Sequence, residues 1–114
     1  MKMKNGKKLE SGDVILTQIQ YTDTFEIKKR PAVILYEEHN NFIVAGITSN
    51  KDMKGIELTK KEGAIKNSII KLNYIFTISK VLINKYLFSL NKRKKELIYN
   101  NLIKKLSPLN QNQK

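Results

Sequence analysis

The chain has 114 residues, 40% of them hydrophobic, with no cysteine, no tryptophan and a single histidine. That length supports one domain with one modest core, and the composition excludes disulfides, thiolate metal sites and a histidine-built zinc site. The formal net charge of +12 favours a polyanion or an acidic protein as partner, against the competing reading of lysines that are merely solvated.

Residues 1–10 are polar and basic and read as a mobile N-terminal arm. "DVILTQIQY", 13–21, opens apolar and then alternates, with Ile15, Thr17 and Ile19 on one face, which predicts a strand. "TDTFEIKK", 22–29, breaks that pattern and reads as a loop. "RPAVILY" and "NFIVAGI" are two β-branched runs on either side of "EEHNN". They predict a hairpin whose turn uses Asn40 and Asn41, residues that tolerate positive φ.

Residues 48–55 form a polar loop, and "IELTKKEGAIKNS" contains a short strand followed by a turn at Gly63. "SIIKLNYIFTIS", 68–79, is long and strongly β; "KVLIN" is one helical turn; "KYLFSL" returns to strand. Asn91 then stands where it can cap a helix over 92–106. Ile98, Leu102 and Leu106 recur every four residues there, and Leu97, Tyr99 and Ile103 widen the stripe. Lys92, Arg93, Lys94 and Lys95 crowd the positive end of that helix dipole, so they are expected to face something negative. Residues 108–114 are expected to fray. The domain therefore spans 11–107, in the mainly β (α+β) class. It reads as a small, partly open barrel with a C-terminal α-helix closing one side. No apolar run reaches the ~20 residues of a membrane span, and no apolar segment follows the first lysines, so the expectation is a soluble, cytoplasmic protein.

Arg30 is one of two arginines in a chain with twenty lysines. A hairpin turn centred on His39 and Asn40 sets Pro31 opposite Thr48, one step from Arg30; a turn one residue later pairs Val33 with Thr48. In either register Arg30 and Thr48 meet at the open end of the hairpin. A guanidinium offers a planar fork of donors, stays charged, and grips phosphate oxygens bidentately. The competing reading is a surface arginine paired with Asp23 or Glu26. His39 reads as a solvated turn residue, and Asp13 as a local hydrogen-bond acceptor at a strand start.

Five short motifs occur in order: Gly12-Asp13, Tyr21-Thr22-Asp23, Lys29-Arg30-Pro31, Ile47-Thr48-Ser49, and Lys71-Leu72-Asn73 running to Thr77-Ile78-Ser79-Lys80. Together they resemble the MazF/PemK family of toxin endoribonucleases over about residues 11–106. The resemblance implies an SH3-like barrel that forms a homodimer. It also implies cleavage of single-stranded RNA at short sequences through the 2′-hydroxyl, without a metal or other cofactor. Carried over by position, Arg30 and Thr48 are the catalytic pair, and Tyr21, Thr22, Phe25, Lys28, Lys29, Ser49 and Asn50 are the expected RNA contacts. An antitoxin with an acidic, disordered tail is the implied protein partner. "TDTFEIKK" departs from the family's glycine- and serine-rich loop; Phe25 there is suited to stacking on a base. A non-catalytic DNA- or RNA-binding module on the same fold is the alternative, distinguished by leaving RNA intact.

Overall fold

Runs of apolar β-branched residues make stable strands where their apolar faces find cover, and most of those in β1, β2 and β3 do. The structure, a computed structural model, describes residues 7–19, 27–50, 52 and 54–111. It contains β1 (Asp13–Ile19), β2 (Lys28–Glu38), β3 (Asn41–Thr48), β4 (Ile56–Leu58), β5 (Ser68–Ser79), β6 (Ile83–Ser89) and one helix, α1 (Lys92–Leu106). The strands form one antiparallel six-stranded sheet in the order β4-β5-β3-β2-β1-β6. The sheet does not close, so β4 and β6 are its two edges. This is the mainly β architecture with one C-terminal helix that the sequence predicts, in its open form.

Alternation along β1, β2 and β3 divides the buried residues between two cores. Ile15, Ile19, Ala32, Ile34, Phe42 and Val44 pack on one side with Ile78 and Ile83. Val14, Val33, Ala45 and Ile47 pack on the other with Leu58, Ile70, Leu72 and Ile98. A strand buried on both faces has no polar side to show, which is why these segments read as near-continuous apolar runs. β2 begins at Lys28, inside the segment assigned to a loop from sequence. Leu9, placed by sequence in the polar arm, is buried in the first core. Asp13 holds the chain beside it: its carboxylate accepts from Glu10 N (2.9 Å) and Ser89 Oγ (2.6 Å) and pairs with Lys7 at 3.2 Å.

An irregularity between β3 and β5 bends the sheet. In β3 and β5, Ala45 pairs with Ile75 but Gly46 pairs with Lys71, so residues 72–74 have no ladder partner and β5 turns a corner. Its first half then carries β4, through Ile56↔Ile70 and Leu58↔Ser68. At the hairpin tip, positive φ falls on His39 (φ 55) rather than on Asn40 or Asn41. The His39 side chain is solvated, as its turn position predicts.

The gap between the two edge strands is spanned by residues 59–67 and α1. Asn91 caps α1 by accepting from Lys94 N at 2.8 Å, and the helix occupies the residues predicted for it. Only Ile98 is buried on it. Leu97, Tyr99, Ile103 and Leu106 are each over two-fifths exposed, so the covered stripe is narrower than the apolar periodicity suggests. Beyond α1 the chain makes a further 3-10 turn, Ser107–Asn110, instead of fraying at 108.

Of the four cations at the start of α1, Lys94 meets the expected negative partner. Its ammonium pairs with Glu62 at 3.2 Å and donates to the Glu57 carbonyl at 2.6 Å. Glu62 also accepts from Thr59 N at 2.9 Å, closing a capping box around the 3-10 turn Lys60–Glu62. Burial pushes the Glu62 carboxyl up, but the Thr59 N–H and the Lys94 ammonium more than offset this and hold it below the usual carboxylate range. A depressed carboxyl contributes stability above its unfolded pKa and loses it as pH falls through the folded one. Glu62→Gln is therefore expected to lower stability by about 1 to 2 kcal/mol at pH 7. In urea unfolding, that difference should shrink below about pH 4.3 and vanish in stronger acid.

Candidate active site

The β2–β3 hairpin decides which side chains share its open end. Near the turn its paired residue numbers sum to 79: Glu38↔Asn41, Glu37↔Phe42, Tyr36↔Ile43. The register then shifts at Leu35, and Ile34↔Val44, Val33↔Ala45 and Ala32↔Gly46 sum to 78. Side chains alternate with period two, so a one-residue shift exchanges the faces of everything beyond it. The sequence-based register, with Pro31 opposite Thr48, is corrected by this bulge. The observed sum, carried two residues past Ala32↔Gly46, sets Arg30 opposite Thr48 on the same face. On its other side Arg30 pairs with Thr17 of β1. Thr17 is buried, and its hydroxyl donates to the Leu82 carbonyl at 3.1 Å.

Arg30 and Thr48 both line a cleft of about 460 Å³, together with Lys29 and Ser49. The cleft exists because the sheet stays open. One side is β2 and β3; the other is β6, through Lys85; the segment 63–66 lies across it. Its floor is apolar, from Val14, Leu16, Ile47, Leu87 and Phe88. Among the described residues no carboxylate lines it, whereas Lys29, Arg30, Lys66 and Lys85 do.

Local contacts set how the two central side chains present themselves. Thr48 Oγ1 accepts from Asn50 N at 3.1 Å, and Asn50 Oδ1 accepts from Asp52 N at 3.0 Å. These turns fix the Thr48 oxygen and leave its own O–H proton to be donated. Arg30 is half-buried, with Nε withdrawn from solvent. A cation in such a setting acts on a bound anion more strongly than one in bulk water.

Of the other expected contacts, Lys28 and Asn50 are exposed and do not line the cleft. Tyr21, Thr22 and Phe25 lie outside the described residues, as do Asp23 and Glu26, the acids of the alternative reading for Arg30. Sequence reasoning missed Lys66, Lys85 and Phe88. Lys85 comes to the cleft through the sheet pairing: it stands opposite Leu16 in β1, and Leu16 stands opposite Pro31. Among the described residues, no group of three or more His, Cys, Asp or Glu side chains is placed to hold a metal ion. Among the described residues, no helix is long and apolar enough to cross a membrane.

The architecture is thus a small antiparallel β domain with a cationic cleft at its open edge. Compared with known protein families, residues 10–106 match the one described as PemK-like, MazF-like toxin of type II toxin-antitoxin system. With most of its length covered by that match, the chain belongs to this toxin family. No curated protein matches it.

Gly63 shapes the lid of the cleft. Its φ is +120, and an added Cβ would stand 2.6 Å from the Phe88 ring. Both facts call for glycine: left-handed backbone strains other residues, and the ring packs against the vacant position. Gly63→Ala is expected to cost about 1 to 3 kcal/mol, measured by urea unfolding, whereas Ala64→Gly in the same turn should cost about 1 kcal/mol or less.

Proposed function

We propose that the chain is a sequence-selective endoribonuclease toxin that cuts single-stranded RNA by 2′-hydroxyl transfer and so arrests growth. The observation that carries this reading is that Arg30 and Thr48, distant in sequence, line one cleft edged by cations and free of carboxylates among the described residues. Membership in the toxin family supports it.

In the proposed reaction a ribose 2′-oxygen attacks the adjacent phosphorus, and the bond from phosphorus to the 5′-oxygen of the next nucleotide breaks. The products are a 2′,3′-cyclic phosphate and a 5′-hydroxyl. The Arg30 guanidinium donates to the non-bridging oxygens and stabilises the charge that builds on them in the pentacoordinate transition state. The Thr48 hydroxyl donates to a phosphate oxygen and keeps phosphorus in line with the attacking atom. Arg30 cannot serve as a base, because its pKa lies above ~12. Water takes the 2′ proton and supplies one to the leaving oxygen, so the reaction needs no metal or other cofactor. The chain acts as a homodimer in the cytoplasm, and an antitoxin with an acidic, disordered segment neutralises it by covering the cationic cleft.

Gel analysis of RNA incubated with pure protein in excess chelator tests this directly: discrete fragments ending in cyclic phosphate are expected, and intact RNA would favour the non-catalytic binding module instead. Arg30→Ala is expected to slow cleavage by about 10³-fold or more while keeping the cooperative unfolding transition, and Thr48→Val by roughly 10²-fold. Cleavage by purified Arg30→Ala at the unsubstituted rate would overturn the site.

A further inference from the structure

One wall of the cleft has no part in the reaction as proposed. Lys85 on β6 and Lys66 on the segment after Gly63 line it, and both are exposed. Among the described residues, neither Lys66 nor Lys85 forms an ion pair. Their positions follow from the topology. Lys85 sits opposite Leu16, which sits opposite Pro31, so lysine, leucine and proline form one row across three strands, with Arg30 the next residue along β2 and on the alternate face. Phe88, half-buried at the foot of β6, puts its ring under Gly63 on the same floor.

The cleft therefore alternates in chemistry along its width. Arg30 and Thr48 offer donors at one rim, an apolar floor of Leu16, Leu87 and Phe88 follows, and two further cations stand at the other rim. Single-stranded RNA repeats a phosphate and a ribose, and each ribose carries a base whose face is apolar, beside the backbone. A cleft of about 460 Å³ is on the scale of small-ligand sites.

We infer that Lys66 and Lys85 form a second phosphate subsite, which holds the RNA phosphate adjacent to the scissile one while the intervening base lies on the Leu16–Leu87–Phe88 floor. This rests on the reading of Arg30 and Thr48 as the scissile-phosphate site. The two lysines are positioning residues: they act on strand placement, and Arg30 and Thr48 act on the reacting atoms. An acidic peptide is the alternative occupant of the same wall.

The test uses full-length protein and a short single-stranded 2′-O-methyl RNA of mixed sequence, which has no free 2′-hydroxyl to react. Affinity is measured over a range of salt concentrations. Each phosphate contact contributes about 0.7 to the slope of log K against log salt. The Lys66→Ala, Lys85→Ala double variant is expected to reduce the slope by about 0.7, each single variant by a part of that, and Lys104→Ala on α1 not at all. With cleavable RNA, each cleft variant should raise KM about tenfold and leave kcat within twofold.

An unchanged slope in the double variant, or an equal fall for Lys104→Ala, overturns the subsite. So does a double variant that loses affinity for polyglutamate but keeps its RNA slope, which would assign the lysines to a protein ligand. If unsubstituted protein leaves RNA intact in chelator while these slope changes still appear, the catalytic reading fails and the phosphate subsite stands.

Discussion

A single extra residue in β2, Leu35, governs what this hairpin can do. Beyond it the β2–β3 register moves from a sum of 79 to a sum of 78. Without that shift Thr48 would lie opposite Pro31, and its side chain would leave the face that Arg30 occupies. Bulges serve to re-aim side chains, and here the re-aimed pair is the one the cleft is built around. The bulge is held by packing on both sides. Ala32 and Ile34 are buried in one core and Val33 in the other, so a register slip would expose both sets at once.

The second constraint is that the sheet stays open. A closed barrel would pair β4 with β6 and fill the space between them. Instead the segment 59–67 crosses that gap, fastened to α1 by the Lys94–Glu62 pair and to the floor by Gly63 against Phe88. This arrangement satisfies the free groups at the start of the 3-10 turn and leaves a lined cavity along β6. Stability and site are thus linked: the contacts that cover the open edge are the ones that give the cleft its far wall.

Much of the fold was legible because it rests on local rules. The alternation in 13–19, the β-branched runs of β2, β3 and β5, the turn at Gly63, and the helix from Asn91 to Leu106 all followed from period, propensity and capping. What was illegible depends on tertiary context. The Leu35 bulge has no marker of its own, since leucine suits a regular strand equally well. Positive φ at His39 runs against the preference for asparagine, two of which follow it. Leu9 looked polar by association with its neighbours, yet it fills the first core. The apolar stripe of α1 promised more burial than one buried isoleucine. The candidate site divided the same way. Arg30 stood out by residue type and Thr48 by hairpin geometry, but Lys66 and Lys85 are two among twenty lysines until the sheet brings them to one wall.

The central claim is that Arg30 and Thr48 hold one and the same phosphate. A double-mutant cycle on the rate of RNA cleavage, built from Arg30→Lys, Thr48→Val and the pair together, reads this most directly. Lysine keeps the charge and loses the bidentate fork, so activity stays measurable. If both groups grip one phosphate, the losses are non-additive, with a coupling of about 0.5 to 3 kcal/mol. Losses that add to within about 0.3 kcal/mol would mean that the two side chains act on separate atoms, and would contradict the account.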